Sequence, residues 1–320
     1  MEHIVDTFTN GLKNLHKNPI IFLPIILITL FLTFIIVVTT SALIFLLLIP
    51  ILVGTAIGSE ILITASVVTI LVILITMLIS AYLSAGSIGM SKEAVSTGKT
   101  QFGDFFTYGT KYFFRSFIAS LLLSIINALV IIFWLPMVYV FSTYGYTFSQ
   151  LIDAFITSPE SLLPLFTALI LPALFGLLMT IIYSIIVSVL FYFILYAIVI
   201  DDIGAVASFK KSYAVLRQSF WKVILFIILV SAIVFGVTSV ISFFSSLLSS
   251  VFNVLGFNDP VFMIIGAIIQ LIFSLISFAV SMYLTAVVFV WTTRFYMGIN
   301  GYELYTEEKS VKEDLLADDF

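Results

Sequence analysis

The residues that could carry chemistry in this chain are few, because only 9% of its 320 residues are Asp, Glu, Lys or Arg. The two histidines, His3 and His16, lie thirteen residues apart and have no neighbours at metal-ligand spacing. The tripeptide "GKT" at residues 98–100 ends like a phosphate loop, but Glu93 stands where such a loop has its first glycine. We therefore expect surface histidines, a polar loop, and neither a metal nor another cofactor.

Hydrolysis inside a membrane would need paired carboxylates, a serine with a histidine, or an H-E-x-x-H motif at membrane depth. The long uncharged stretches of this chain contain no Asp, Glu or His, and the sequence has no cysteine. The same stretches contain no Lys or Arg that could bind nucleic acid. We therefore expect a protein that is not an enzyme and that has no nucleic-acid partner.

The uncharged stretches define the fold class. The chain is 62% hydrophobic and has a mean hydropathy of +1.27. Soluble domains could not bury the apolar surface of so many hydrophobic residues. Six charge-free intervals each exceed the roughly 20 residues that a membrane-spanning helix needs. We predict an all-α integral membrane protein with six spans, with a break of the fourth span at Pro172 as an option. The predicted spans are residues 21–47, 61–84, 117–140, 163–199, 223–251 and 262–290.

The distribution of charge predicts the orientation. All 13 Lys and Arg residues fall on one side of the six-span arrangement, whereas the other side has only Glu60, Asp153, Glu160 and Asp259. By the positive-inside rule, both termini face the cytoplasm of a multi-pass protein in the cell membrane. We predict one membrane domain over residues 1–298 and an acidic cytoplasmic tail over residues 299–320.

The densest group of charges lies in "IDDIGAVASFKKSYAVLRQSFWK", residues 200–222. Asp201 and Asp202 stand where a helix N-terminus favours anions and capping oxygens. An apolar stripe follows at three- and four-residue spacing, formed by Val206, Phe209, Tyr213 and Leu216. The segment predicts an amphipathic helix that lies on the inner leaflet or packs on the cytoplasmic ends of the bundle, and the two interpretations are compatible.

A repeat supports this interpretation. The segments "DTFTNGLKNLHKN" (6–18) and "DFFTYGTKYFFRS" (104–116) align without gaps. A weaker third copy has Phe209, Ser212, Leu216 and Ser219 in the places of Phe8, Gly11, Leu15 and Asn18. We predict a unit of one interfacial amphipathic helix followed by a helical hairpin, repeated over residues 1–98, 99–200 and 201–298.

Long basic side chains near span ends reach toward lipid phosphates. We therefore expect membrane lipids of the anionic inner leaflet as partners, and a protein partner or a homo-oligomer as a further option. The predicted headgroup contacts are Lys13, Lys17, Lys111, Arg115, Lys210, Lys211, Arg217 and Lys222.

Small and hydroxyl-bearing residues recur every three or four positions in two of the spans. They are Gly176, Thr180, Ser184 and Ser188 in the fourth span and Ser274, Ser277, Ser281 and Thr285 in the sixth. Such stripes serve either close helix packing or a polar path through the bundle. We favour packing, because any helix pair in a bundle needs such a face.

Two stretches carry a resemblance to a known family. "NPIIFLP" (18–24) and "DDIGAVASFKKSYAVLRQSFWK" (201–222) resemble the membrane domain fused to some glycerophosphoryl diester phosphodiesterases, and related prokaryotic six-helix proteins of unknown function. Ala205, Ser212, Phe220 and Trp221 carry the second of these matches. The resemblance implies a six-helix membrane domain. It transfers no catalytic residue, because residues 299–320 are too few for the phosphodiesterase domain.

Two functional classes follow from these observations. The first is a non-enzymatic membrane-organising, regulatory or lipid-associated protein, which we favour because the chain combines amphipathic segments with uncharged spans. The second is a transporter or channel for a small neutral or lipid-like substrate, which a wide hydroxyl-lined cavity would favour. An enzyme acting at the inner interface would have too few candidate residues.

Overall fold

A computed structural model describes residues 4–52, 59–144, 163–255 and 260–306. Every regular element in these ranges is helical, and 3₁₀ turns at Pro19–Ile21 and Leu129–Trp134 lie before and between longer helices. The α-helices are α1 Ile4–Lys17, α2 Phe22–Leu52, α3 Ser59–Thr97, α4 Phe102–Ala128, α5 Leu135–Tyr144, α6 Leu163–Leu190, α7 Ile194–Ile200, α8 Ala205–Gln218, α9 Phe220–Leu255 and α10 Pro260–Ile299.

Six helical stretches in the described ranges are long and apolar enough to cross a membrane. They are Pro19–Phe45, Ile63–Thr97, Phe102–Val140, Ala168–Ile200, Phe220–Val251 and Ile264–Ile299. This confirms the prediction of an all-helical, multi-pass membrane protein with six spans. The helices themselves extend beyond the predicted apolar cores, because a helix does not end where its hydrophobic face ends.

Two local details differ from the sequence prediction. The amphipathic segment 104–116 is not a separate helix but the first part of α4, which continues into the third span. α6 runs through Pro172 without a break, as membrane helices tolerate the loss of one backbone hydrogen bond. The fourth span is interrupted later, at residues 191–193 between α6 and α7.

The described helices form two compact units. The second unit covers residues 120–192. Within it, α5 packs along α6, and the Tyr183 hydroxyl donates a hydrogen bond to the carbonyl oxygen of Ile126 at 2.6 Å. The first unit contains the remaining helices, in which α3 packs against both α2 and α10, and α9 packs against α10.

The buried core of the first unit lies at the end of its helices where the charged residues gather. We call this the basic end. The last turns of α3, all of α7 and the last turns of α10 are almost completely buried there. Arg294 is one of the most buried large side chains, and its guanidinium donates a hydrogen bond to the carbonyl oxygen of Tyr305 at 3.1 Å. Farther along α2 and α9, most large apolar side chains are exposed, as lipid-facing helices require.

One face of α1 lies on α10. The buried residues of α1 recur at helical spacing and are Thr7, Gly11, Asn14 and Leu15. Gly11 faces the Trp291 ring so closely that an added Cβ would lie 2.6 Å from Cδ1. Trp291 Nε1 donates a hydrogen bond to the carbonyl oxygen of Phe8 at 3.0 Å. Packing and a polar contact therefore fix α1 on the last long helix.

Asn18 connects the end of α1 to the loop between α3 and α4. Its side-chain amide donates to the carbonyl oxygens of Asn14 at 2.8 Å and Gly98 at 3.1 Å. Its Oδ1 accepts a hydrogen bond from the backbone N–H of Thr100 at 3.0 Å. Pro19 then ends the helix, because it has no N–H to donate.

Candidate functional site

The charged residues of the basic end meet at the short connection between α7 and α8. Both carboxylate oxygens of Asp201 accept hydrogen bonds, from the Tyr296 hydroxyl at 2.8 Å and from the Tyr302 hydroxyl at 2.7 Å. The Lys211 ammonium lies 3.4 Å from the same carboxylate, which is largely buried. A buried carboxylate is stable only when its oxygens are paired in this way.

Asp202 forms a second set of contacts at the surface. Its carboxylate lies 2.9 Å from the Lys111 ammonium and 2.6 Å from the Arg115 guanidinium, both on α4. Its φ of 54° lies in the left-handed region, which Asp tolerates better than most side chains. Hydrogen bonds from Lys111 and Arg115 lower the pKa of the Asp202 carboxyl.

Two further contacts bring α3 to the same place. The Lys92 ammonium donates to the carbonyl oxygen of Ile200 at 3.2 Å, at the last turn of α7. The neighbouring Glu93 carboxylate accepts a hydrogen bond from the Tyr108 hydroxyl of α4. We call Asp201, Asp202, the residues that contact them, and the contacts of Lys92 with Ile200 and of Glu93 with Tyr108 the aspartate junction. It links α3, α4, α7, α8, α10 and the segment after α10.

The interpretation of Asp201 and Asp202 as helix caps is wrong. The residue that precedes the first turn of α8 is Gly204, and no side chain caps that turn. The two carboxylates instead accept hydrogen bonds from α4, α10 and Tyr302, and Asp201 forms an ion pair with Lys211 of α8. These donors lie as far as 101 residues away in the sequence, so local capping rules could not identify them.

The predicted single apolar stripe on α8 is also wrong. The buried residues are Ser208, Ser212, Val215 and Leu216, which lie on one face. Val206 and Tyr213 lie on the opposite face and are 65% and 52% exposed. The small hydroxyl side chains are the buried ones because α8 approaches α7 closely, and Ser212 Oγ accepts a hydrogen bond from the backbone N–H of Phe193 at 3.3 Å.

The eight bases predicted to contact lipid headgroups differ in their contacts and in their exposure. Lys111, Arg115 and Lys211 are in the ion pairs of the aspartate junction. Lys17 lies over the Tyr305 ring, 5.6 Å from its centroid. The exposed side chains are those of Lys13, Lys17, Lys210, Arg217 and Lys222 together with the paired Lys111 and Arg115.

The two halves of the stripe in the fourth span have different surroundings. Gly176 lies against Trp134, whose ring carbons would be 3.2 Å from an added Cβ. Thr180 Oγ1 accepts a hydrogen bond from Trp134 Nε1 at 3.0 Å. Ser184 and Ser188 are exposed. The first half of the stripe therefore makes a helix contact within the second unit.

The stripe in the sixth span borders a cavity. The hydroxyls of Ser274, Ser277 and Thr285 donate to carbonyl oxygens of their own helix one turn earlier. A cavity of about 220 Å³ lies between α9 and α10, and its lining is Val234, Thr238, Ser281, Leu284, Thr285, Val288 and Phe289. Four of these seven residues are apolar, and the hydroxyls of Thr238 and Thr285 are already bonded to backbone oxygens.

The described residues contain no group of three or more His, Asp or Glu side chains that could hold a metal ion. His16 contacts the Tyr283 hydroxyl at 3.2 Å, and His3 lies outside the described ranges. The "GKT" loop packs under the Tyr305 ring, which lies 2.7 Å from where a Cβ of Gly98 would be. The contacts of His16 with Tyr283 and of Gly98 with Tyr305 therefore join segments that are distant in the sequence.

The fold and the aspartate junction define a class: an all-helical, multi-pass membrane protein whose charged side chains bind one another at one end of the spans. The chain belongs to the family described as "Domain of unknown function (DUF7847)", whose sequence profile matches residues 3–299. No curated protein matches the chain. The family match includes every residue of the aspartate junction except Tyr302.

Sequence reasoning identified the bases and acids of this junction but missed its tyrosines. Tyr296, Tyr302 and Tyr108 are ordinary aromatic residues at the ends of apolar segments, a position common for tyrosine in membrane proteins. Only the proximity of Asp201 and Glu93 shows their role as hydrogen-bond donors.

Proposed function

We propose that the chain is a non-enzymatic, lipid-associated protein that organises the membrane around it, with its basic end in the cytoplasm. The observation that carries this proposal is the aspartate junction. The carboxylates of Asp201 and Asp202 are bonded to donors from four parts of the fold, α4, α8, α10 and the segment after α10. They are therefore structural links between helices. The uncharged spans favour the same role.

The proposed repeat explains how this end is built. Three equivalent positions are buried in each of the three amphipathic segments: Thr7, Gly11 and Asn14; Phe105, Gly109 and Tyr112; Ser208, Ser212 and Val215. Gly11 packs against Trp291 of the sixth span, Gly109 against Tyr82 of the second, and Ser212 binds the chain at the end of the fourth. These contacts support the proposed repeat, in which each segment packs on the last span of the unit before it.

Reconstitution of the full chain into vesicles tests the proposed role. We expect a fluorescent anionic phospholipid to diffuse more slowly in bilayers that contain the protein than in protein-free bilayers, as measured by fluorescence recovery after photobleaching. The vesicles should retain a small entrapped dye and should show no accelerated lipid exchange between leaflets. Unchanged lipid diffusion together with dye or lipid flux would reject the proposal.

The cavity between α9 and α10 favours a second candidate function, transport of a small neutral or lipid-like substrate. The hydroxyls of Thr238, Ser281 and Thr285 border an otherwise apolar lining. Flux in the same vesicle assay that falls in Thr285→Val, with unchanged protein yield, would support this alternative. Ser184→Ala, at an exposed serine that is not part of this lining, is the matched control.

A further inference from the structure

We propose that the outward face of α8 binds the headgroups of anionic phospholipids. This outer face is formed by Val206, Lys210, Tyr213 and Arg217, and Trp221 follows it at the start of α9. The inference rests on the proposed function and names the lipid class involved. The occupant follows from charge: α8 contains three basic residues and no acidic ones, so an anionic surface complements it.

The outer face is separate from the packed face of the helix. Residues 206, 210, 213 and 217 are spaced by four, three and four positions, so they lie on one side of α8. The buried residues Ser208, Ser212 and Val215 lie on the other side. The outer face is therefore available while α8 keeps all its contacts with the rest of the first unit.

Lys211, the third base of α8, does not belong to the outer face. Lys211 lies at the edge of the helix, and its ammonium is in the aspartate junction with Asp201. The nearby carboxylate of Asp202 is bound by Lys111 and Arg115 of α4. The acids closest to α8 in sequence are thus neutralised by other bases, and Lys210 and Arg217 give the outer face its positive charge.

The other two amphipathic segments lack this charge pattern. At the positions equivalent to Lys210 they have Thr9 and Thr107, and at the positions equivalent to Arg217 they have His16 and Phe114. The buried positions of the three segments correspond, whereas the outward positions do not. The basic outer face is therefore a property of α8 and not a requirement of the packing that the three segments share.

Trp221 indicates that this face lies at a membrane surface. Its side chain is 79% exposed at the second residue of a candidate span. An indole at a span end lies at the level of the headgroups, with its ring in the apolar region and its N–H toward water. Tyr213 on the outer face has the same amphipathic character.

Brominated lipids, which quench tryptophan fluorescence on contact, test the inference in the full-length reconstituted chain. Vesicles of phosphatidylcholine with one third phosphatidylglycerol are prepared twice, with bromine on the neutral or on the anionic lipid. The signal of Trp221 is obtained by subtracting the spectrum of Trp221→Phe, which leaves Trp134 and Trp291. Per brominated molecule, the anionic lipid should quench several-fold more effectively, because Lys210 and Arg217 attract its headgroup.

The double variant Lys210→Gln, Arg217→Gln should remove most of this preference. The matched control Lys99→Gln changes an exposed base outside α8 and should leave the preference intact. About 1 M salt should also remove most of it, since the Debye length then falls to roughly 3 Å. Both variants should melt at the temperature of the unaltered chain, because these side chains are exposed.

Equal quenching by the two lipids, or a preference that survives in the double variant, would overturn the inference. Because dye retention and lipid diffusion are measured separately, slowed diffusion in sealed vesicles without anionic preference would reject only the headgroup site. Flux without slowed diffusion would reject the proposed function itself. Weak quenching by both lipids would mean that Trp221 is shielded from lipid. That result would indicate a protein surface over α8 and would also overturn lipid binding.

Discussion

Gly11 of α1 and Trp291 of α10 are in direct contact, and the missing side chain of Gly11 is what allows the Trp291 ring to lie there. Gly11→Ala would place a methyl group 2.6 Å from Trp291 Cδ1. We expect it to lower stability by about 1–3 kcal/mol, the usual cost of overpacking a tight contact. Thermal unfolding in detergent measures this. Gly236→Ala, where nothing lies within 4 Å of the new Cβ, should not destabilise.

Removing the Asp201 carboxylate should loosen several elements together. Asp201→Asn can still accept the hydrogen bond of one tyrosine, but its NH₂ group can only donate to the other hydroxyl, whose own hydrogen then loses its acceptor. We expect a loss of about 1–3 kcal/mol, the cost of leaving a buried polar group unpaired, with about 1 kcal/mol for Tyr302→Phe alone. A double-mutant cycle should show coupling between the two changes. Strict additivity would contradict the hydrogen bond between Asp201 and Tyr302.

Asp202 should make stability sensitive to acid. Lys111 and Arg115 lower its pKa below the ordinary value of 3.8, so the folded state holds this proton less tightly than the unfolded state. The contribution is therefore complete above the unfolded pKa and is lost as pH falls through the folded one. Melting temperatures measured below about pH 4 should fall less steeply in Asp202→Asn than in the unaltered chain. Parallel curves would contradict the ion pairs.

Tyr302 should titrate at unusually high pH. Partial burial and the hydrogen bond to Asp201 raise its pKa from 10.0 to about 12. A raised pKa means that this stabilisation is complete below pH 10 and is lost as pH rises toward 12. The difference between the phenolate absorbance of the unaltered chain and that of Tyr302→Phe should therefore have its midpoint near pH 12. A midpoint near 10 would contradict the contact.

Cysteine labelling tests the predicted orientation in a chain with no native cysteine. Cysteines at Lys99 and Ala207, both exposed, should be protected from an impermeant thiol reagent in intact cells. Ser158 and Asn258, which lie outside the described ranges, should label after substitution by cysteine. Permeabilised cells provide the control, since Lys99→Cys and Ala207→Cys should then react. Reaction at Ala207→Cys in intact cells would reverse the orientation.

The number of spans could be predicted because charge is costly inside a bilayer, so charge-free intervals mark the spans directly. Helix ends were less predictable. The first turns of α4 contain the charged residues Asp104 and Lys111, yet the helix continues unbroken into the third span. The interruption at residues 191–193 has no proline or glycine to announce it.

The candidate site was predictable in its location but not in its contacts. The concentration of charge at residues 200–222 drew attention to the connection between α7 and α8, where the ion pairs lie. The partners of Asp202 are 87 and 91 residues away, and Tyr296 is 95 residues from Asp201. Local periodicity carries no information on such separations. For the same reason, the sequence predicted that Val206 and Leu216 share one face of α8. In the structure Leu216 is buried and Val206 is exposed, because α8 packs on α7 with a different face.

The docking of α1 on α10 also sets an order for synthesis in the cell. Phe8 and Trp291, which share a hydrogen bond, are separated by 283 residues, so α1 leaves the ribosome long before its binding surface exists. During insertion of the intervening spans, Gly11 of α1 lacks the Trp291 ring that packs on it in the folded chain. We expect chains stalled before the sixth span to be degraded faster than complete chains, with α1 as the segment that proteases or chaperones recognise. Insertion of α10 then covers the face of α1 at Gly11.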